Sequence, residues 1–172
     1  MNIKPRLFIY ITSCLTILFS SPKKGIWKQY DYNSGISSNY IFDIEKDDNE
    51  RIWISTQNGI TCIDGDKTKK YGLSNGLPAT NIIKIVSVNN IIYAATSSKG
   101  IYFLSEGDMF KKADFIQGDK VYTMNAVGSK LFVSTKLENV LYDGNRASFM
   151  GNGFPKAKIR DVYFNDGDIV YI

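Results

Sequence analysis

Histidine is absent from all 172 residues. That one absence removes the commonest general base, the commonest zinc ligand and any Ser-His-Asp or Cys-His nucleophile system. It also leaves no phospho-accepting histidine in the chain. Cysteine is nearly absent too: Cys14 and Cys62 are the two present. Cys14 lies inside an apolar run instead of after it, which argues against lipidation, and Cys62 alternates in "GITCIDG" like a small buried strand residue. No basic stripe marks a nucleic-acid groove, since without Lys4 and Arg6 the remaining 19 basic residues face 17 acidic ones. The longest apolar run, Leu7 to Phe19, is too short for a comfortable membrane span. With Lys4 and Arg6 before it and Ser20-Ser21 after it, residues 1–21 read as an export signal peptide or signal anchor.

What is present is ample material for one folded domain over residues 22–172, with 44% hydrophobic and 13% aromatic residues and 22% charge. The apolar residues recur. "IWIST" at Ile52 to Thr56 returns as "IYAAT" at Ile92 to Thr96 and as "LFVST" at Leu131 to Thr135. Trp53, Tyr93 and Phe132 are therefore spaced by 40 and 39 residues, and a further 39 lead to Tyr171 in "DIVYI". Thr56, Thr96 and Thr135 keep the same step. "GISSNYIFDI" from Gly35 likewise matches "GLPATNIIKI" from Gly76.

Each unit predicts four short strands. In the first they run from Tyr40 to Glu45, Arg51 to Ser55, Ile60 to Asp64 and to a more polar end near Tyr71, with Gln57-Asn58-Gly59 as a turn. "IWIS", "IYAA" and "LFVS" are apolar at consecutive positions, so both faces of those strands need cover. Stacked four-stranded blades supply it, and a period near forty residues is the size of a blade. The expected fold is thus an all-β propeller of antiparallel four-stranded blades, with about three and a half present: 35–74, 75–113, 114–152 and the start of another over 153–172. Trp53 and its counterparts are expected to wedge between blades, and the threonines to bond backbone across them.

"GISSNYIFDIEKDDNERIWISTQNGI" resembles the two-component regulator propeller repeat, which reads approximately Gly-Leu-Pro-Ser-Asn, an apolar strand, Asp-x-x-Gly, Leu-Trp-x-Gly-Thr and Gly-Leu. "GLPATNIIKI" and "YAATSSKGI" match it more weakly, and Asn49-Glu50 stands where the family has Asp-Gly. The resemblance implies the extracytoplasmic sensor region of a membrane histidine kinase, including hybrid forms that detect glycan fragments, with residues 27–30 as a strand closing the ring. It implies a parent that continues through more blades, a membrane span and a kinase, acts as a dimer, and sits at the periplasmic side of the bacterial inner membrane. A small protein that oligomerises to complete its ring is the alternative for the missing blades.

The acidic turn "EKDDNE" lacks the frame of a calcium loop and reads as a solvated hairpin turn. Asp48 and Trp53 fall in register with the Asp-box of sialidases, its other positions differing. For a secreted glycan-cleaving enzyme, the runner-up, Asp43 and Asp161 are the acids to watch; a protein-binding scaffold is a third class. No catalytic residue, metal or cofactor is expected. Ligand contacts are expected instead on the face formed by the blade-to-blade loops and the turns between second and third strands. The candidates are Ser38, Asn39, Gln57, Asn58, Asn81, Ser97, Ser98 and Lys99, with Ser37, Ser74, Asn75 and Thr80 nearby: mostly short hydroxyl and amide groups suited to a neutral polar molecule or oligosaccharide.

Overall fold

The computed structural model of the chain describes residues 27–79, 81–150, 159, 161–165 and 168–171. The export segment, Cys14 and Thr80 lie outside them. Each forty-residue unit becomes one antiparallel meander. The first sheet holds β1 (Ile41–Lys46), β2 (Ile52–Thr56), β3 (Gly59–Asp64) and β4 (Lys67–Tyr71), in that order. The second holds β5 (Ile82–Val88), β6 (Ile91–Thr96), β7 (Ile101–Ser105) and β8 (Met109–Lys112), and the third β9 (Val121–Val127), β10 (Lys130–Thr135), β11 (Asn139–Tyr142) and β12 (Ala147–Phe149). A two-stranded sheet, β13 (Val162–Asn165) with β14 (Asp168–Tyr171), begins a fourth. The first strands β1, β5, β9 and β13 follow one another side by side, so the sheets stand as blades in an open arc. Among the described residues no helix is long and apolar enough to cross a membrane.

The register repeats as closely as the sequence does. Trp53 pairs with Glu45, Tyr93 with Val86 and Phe132 with Asn125, and an irregularity recurs near the start of each pairing, where β2, β6 and β10 end in threonine. In the fourth sheet the repeat shifts by one. Its hairpin pairs Asn165 with Asp168, as Val88 pairs with Ile91 and Val127 with Lys130 across equally short turns. Counted from that turn, Val170 stands at the position of Phe132, and Tyr171, where a constant 39-residue step lands, lies one residue beyond it.

Blade packing accounts for the consecutive apolar positions. Trp53 is wholly buried in a cluster joining Ile60 and Tyr71 of the first blade to Ile82, Ile85, Ile92 and Phe110 of the second. Tyr93 packs likewise with Val121, Met124 and Leu131 of the third, and Phe132 with Ile159 and Val162. Burying an apolar side chain of this size contributes about 2–3 kcal/mol, so these wedges bind sheet to sheet.

The threonines do something other than bridge blades. The Thr56 hydroxyl donates to the Gly59 carbonyl (2.9 Å) and accepts from the Asn58 N–H (3.1 Å). Thr96 donates to Gly100 (2.7 Å) and accepts from Lys99. Thr135 engages Glu138 and Gln117 of its own blade. A hydroxyl at the last residue of the second strand reaches the next turn more readily than the neighbouring sheet, so it fixes the turn.

The acidic turn is not simply a solvated hairpin. Asp47 is buried, and its carboxylate accepts from the Asn49 and Arg51 N–H groups (2.9 and 3.0 Å), the Arg51 Nε (2.7 Å) and the Trp53 Nε1 (2.8 Å). Burial pushes this carboxyl up, but the hydrogen bonds from Trp53 and Arg51 and the guanidinium charge outweigh it and hold Asp47 below the usual carboxylate range. Glu50 turns the chain with φ 62°, in the left-handed region, which explains why a glycine suits this position. Glu50→Gly is expected to stabilise the chain by about 0.5–1 kcal/mol, the relief of left-handed strain exceeding the loss of the exposed Lys46–Glu50 ion pair. A urea unfolding midpoint that falls would contradict this.

Candidate functional site

The blades have two ends. One carries the turns between second and third strands together with the loops from each fourth strand to the next blade. Between the first blade's turn and its outgoing loop lies a cleft of about 680 Å³, lined by Gln57, Asn58, Leu73, Ser74, Pro78 and Asn81 among others.

Local backbone chemistry shapes it. Gly59 has φ 110°, and a Cβ there would lie 2.2 Å from the Tyr71 carbonyl oxygen, so only glycine lets the turn settle onto the end of β4. The chain then makes a 3-10 turn over Leu73–Asn75, in which the Gly72 N–H donates to Asn75 Oδ1 and Leu77 N–H returns to the Gly72 carbonyl. This leaves Leu73 exposed at the cleft wall beside Ser74. Each second turn is clamped to the entry of its own blade: Gln57 N–H donates to Tyr40, Ser97 N–H to Asn81 and Lys136 N–H to Lys120. None of the named wall side chains carries charge; they offer amides, a hydroxyl and an apolar surface.

Of the residues picked out from sequence, Gln57, Asn58 and Asn81 meet in this cleft, together with Ser74. Ser97, Ser98 and Lys99 form the corresponding turn of the second blade and do not line it. Ser38 and Asn39 serve the backbone, Ser38 Oγ accepting from Tyr40 N–H (3.1 Å) and Asn39 Oδ1 from Tyr32 N–H (2.7 Å). Ser37 is spent on Thr61, their hydroxyls 2.8 Å apart. Asp47, which holds the first turn to Trp53, was missed. Its signal was in the sequence, because it occupies the first position of the Asp-x-x-Gly pattern.

A second, smaller cleft of about 340 Å³ runs along the first strands, past Glu45, Lys84, Asn125, Asp161 and Tyr163. Its acids, Glu45 and Asp161, are engaged, as is the neighbouring Asp43, which does not line it. Asp43 Oδ2 accepts from Ile85 N–H (3.1 Å) and lies 3.5 Å from Lys84 Nζ, while Glu45 accepts from Ser87 N–H (3.0 Å). Asp161 accepts from Asn125 Nδ2 and from Val162 N–H, both at 2.9 Å. Burial pushes the Glu45 carboxyl up, the Ser87 N–H opposing it. Asp43 and Asp161 thus tie one first strand to the next, a role that satisfies edge N–H groups. Among the described residues no three His, Cys, Asp or Glu side chains gather to hold a metal. Burial pushes the Cys62 thiol up to about 11, which leaves it unreactive.

With this geometry, the first blade can be compared with known proteins. Residues 35–58 match the two component regulator propeller family. The match ends at Asn58, so it covers the first strand, the Asp47 turn, the Trp53 strand and the cleft turn. No curated protein matches the chain. Among solved structures, it is similar to the extracellular domain of BT3049 from B. thetaiotaomicron, assigned as a hybrid two component system (TM-score 0.64, 18% identity, covering 84% of this chain and 23% of that one). It is also similar to the extracellular domain of BT4673 from the same organism, assigned in one structure as a one component system (TM-score 0.62, 15% identity, covering 81% and 20%). A further structure of BT4673, assigned as a hybrid two component system, gives TM-score 0.61 at 14% identity, covering 84% and 20%. This chain therefore spans about a fifth of the length of each. The all-β propeller expected from the repeats is the fold observed, and the family resemblance seen in "GISSNYIFDIEKDDNERIWISTQNGI" is the one matched.

Proposed function

We propose that this chain is part of the extracellular sensing propeller of a two-component receptor, exported to the periplasmic side, and that it binds an uncharged polar ligand such as a glycan fragment at the turn end of its blades. The receptor's histidine kinase, membrane span and dimeric arrangement belong to this proposal. What supports the sensor role is the propeller repeat at residues 35–58 and the likeness to extracellular domains of two component systems. What supports the ligand class is the cleft itself, where Gln57, Asn58, Ser74 and Asn81 offer hydrogen bonds beside the exposed Leu73. Amide and hydroxyl groups next to an apolar wall suit a molecule with both hydroxyl and C–H surfaces. A glycan-cleaving enzyme has less in its favour, because Asp43 and Asp161 are both held by backbone and side-chain donors.

Calorimetric titration with a panel of neutral oligosaccharides tests the cleft. At least one is expected to bind, and Asn58→Ala and Asn81→Ala are each expected to weaken it about tenfold, the worth of about 1.4 kcal/mol of hydrogen bonding. Binding that is unchanged in both variants would place the ligand elsewhere.

A further inference from the structure

The loop from Gly72 to Ala79 is a strap with two faces. On one side Gly72, Leu73, Ser74, Pro78 and Ala79 line the turn-end cleft. On the other it rests on the second blade. Gly76 has φ 83°, and a Cβ there would lie 2.3 Å from the Phe110 carbonyl oxygen, so glycine lets the strap seat against β8. Leu77 is buried with Phe110 in the cluster between the blades. Asn75 joins the two faces: its Oδ1 accepts from Gly72 N–H inside the strap (3.3 Å), and its Nδ2 donates to the Asp108 carbonyl in the turn between β7 and β8 (3.5 Å). Asp108 is itself pinned. It turns the chain with φ 61°, and its carboxylate accepts from the Tyr71 hydroxyl (3.1 Å) and pairs with Lys69 Nζ, both on the strand that leads into the strap. The lysine clamp recurs one unit earlier, where Lys28 reaches Asp66 in the turn between β3 and β4 (3.5 Å). Lys28 and Lys69 also lie alike over the rings of Tyr30 and Tyr71, 5.0 and 5.1 Å from their centroids.

We propose that the second blade's outer turn, through Asp108, positions the wall of the first-blade cleft, so that occupancy of the cleft and packing of the first two blades depend on each other. The proposal rests on the reading of that cleft as the ligand site. Asp108 does not line the cleft; it acts through Asn75, Tyr71 and Lys69. The strap between them is internally bonded, Asn75 and Leu77 N–H donating to the Gly72 carbonyl and Gly76 N–H to that of Leu73, so it shifts as a unit. A ligand drawn onto Leu73 and Ser74 therefore loads the contacts at Asp108 and Phe110. Linkage fixes the size of the effect in both directions. The factor by which the anchored strap favours the ligand is the factor by which the ligand favours the anchored strap. Binding at the turn end is thereby felt at an outer hairpin of the next blade.

Amide hydrogen exchange on the full chain tests the anchor without a ligand. Asp108→Asn combined with Tyr71→Phe keeps a residue suited to the left-handed turn and keeps the buried ring. The Asn75, Gly76 and Leu77 amides should exchange about three- to tenfold faster, the worth of partly exposed hydrogen bonds, while the amides of β10 keep their wild-type rates. Asp108→Asn alone, at an exposed position, should give a smaller change in the same direction. Equal speeding in every blade means a general loss of stability and overturns the proposal, as does an unchanged strap. A second arm uses the neutral oligosaccharide that binds in the titration above. The double variant should bind it about three- to tenfold more weakly, and at saturation it should slow exchange of residues 106–110 in the wild-type chain by the same factor. Binding that weakens in Asn58→Ala but not in the double variant overturns the positioning role and leaves the cleft as the ligand site. If no oligosaccharide binds, the reading of the cleft fails, and the strap amides alone decide whether Asp108 positions its wall.

Discussion

Trp53→Ala is expected to destabilise the chain by about 3–5 kcal/mol, the range for truncating a large aromatic in a close-packed core. The indole is wholly buried between the first two blades, with the Tyr71 ring 5.6 Å away and the Arg51 guanidinium 5.2 Å from its centroid. Tyr71 in turn meets Phe110 of the second blade edge-on at 5.5 Å, so the cavity would open in the middle of an aromatic row that crosses the junction. Urea unfolding followed by far-ultraviolet circular dichroism measures the loss. A cost under about 1 kcal/mol would mean that the blades are held together by something other than this wedge.

The second large effect belongs to Asp47→Ala, expected to cost about 3 kcal/mol. Removing the buried carboxylate strands the wholly buried Trp53 indole N–H and the turn N–H groups of Asn49 and Arg51, and it takes a charge-assisted hydrogen bond from the half-buried Arg51 guanidinium; leaving buried donors without an acceptor is the expensive way to break such a cluster. The same urea titration reads this loss. Asp47 and Trp53 share a hydrogen bond, so the double variant should cost measurably less than the two single losses added. The sign of the pH effect follows from the depressed carboxyl. Asp47 contributes its stability fully above the unfolded value near 4, and loses it as pH falls through the lower folded value. Unfolding midpoints of wild type and Asp47→Ala should therefore converge on acidification and stay apart from about pH 5 to 8. The reverse trend would show that the carboxylate is not the stabilising form.

Much of the fold was legible because its signal is local and repeated. A strand of about five residues needs only β-branched and aromatic side chains between turns, and three copies at nearly constant spacing identify a unit that must stack. The predicted strands of the first blade fall within about two residues of those found. Spacing failed where it was carried past its anchor: the fourth hairpin moves the wedge position to Val170, because a turn, not a fixed count, sets strand register. Of the predicted contact residues, Gln57, Asn58 and Asn81 come together, whereas Ser38 and Asn39 are consumed by backbone N–H groups. Residue type alone does not separate these, since a side chain that suits a ligand also suits a turn.

The sequence by itself determined the blade, its strands, its wedges and the family its first unit resembles, because periodic burial is written into which positions are apolar. Tertiary structure alone decided which of those apolar positions are covered, where each hydroxyl and carboxylate finds its partner, and which polar turns share a cleft. Ile44 and Ile85 are the same residue type at the same point of the repeat, yet one faces solvent and the other a neighbouring blade. Burial is a property of what stands opposite a side chain, and that is settled only when the sheets are placed side by side.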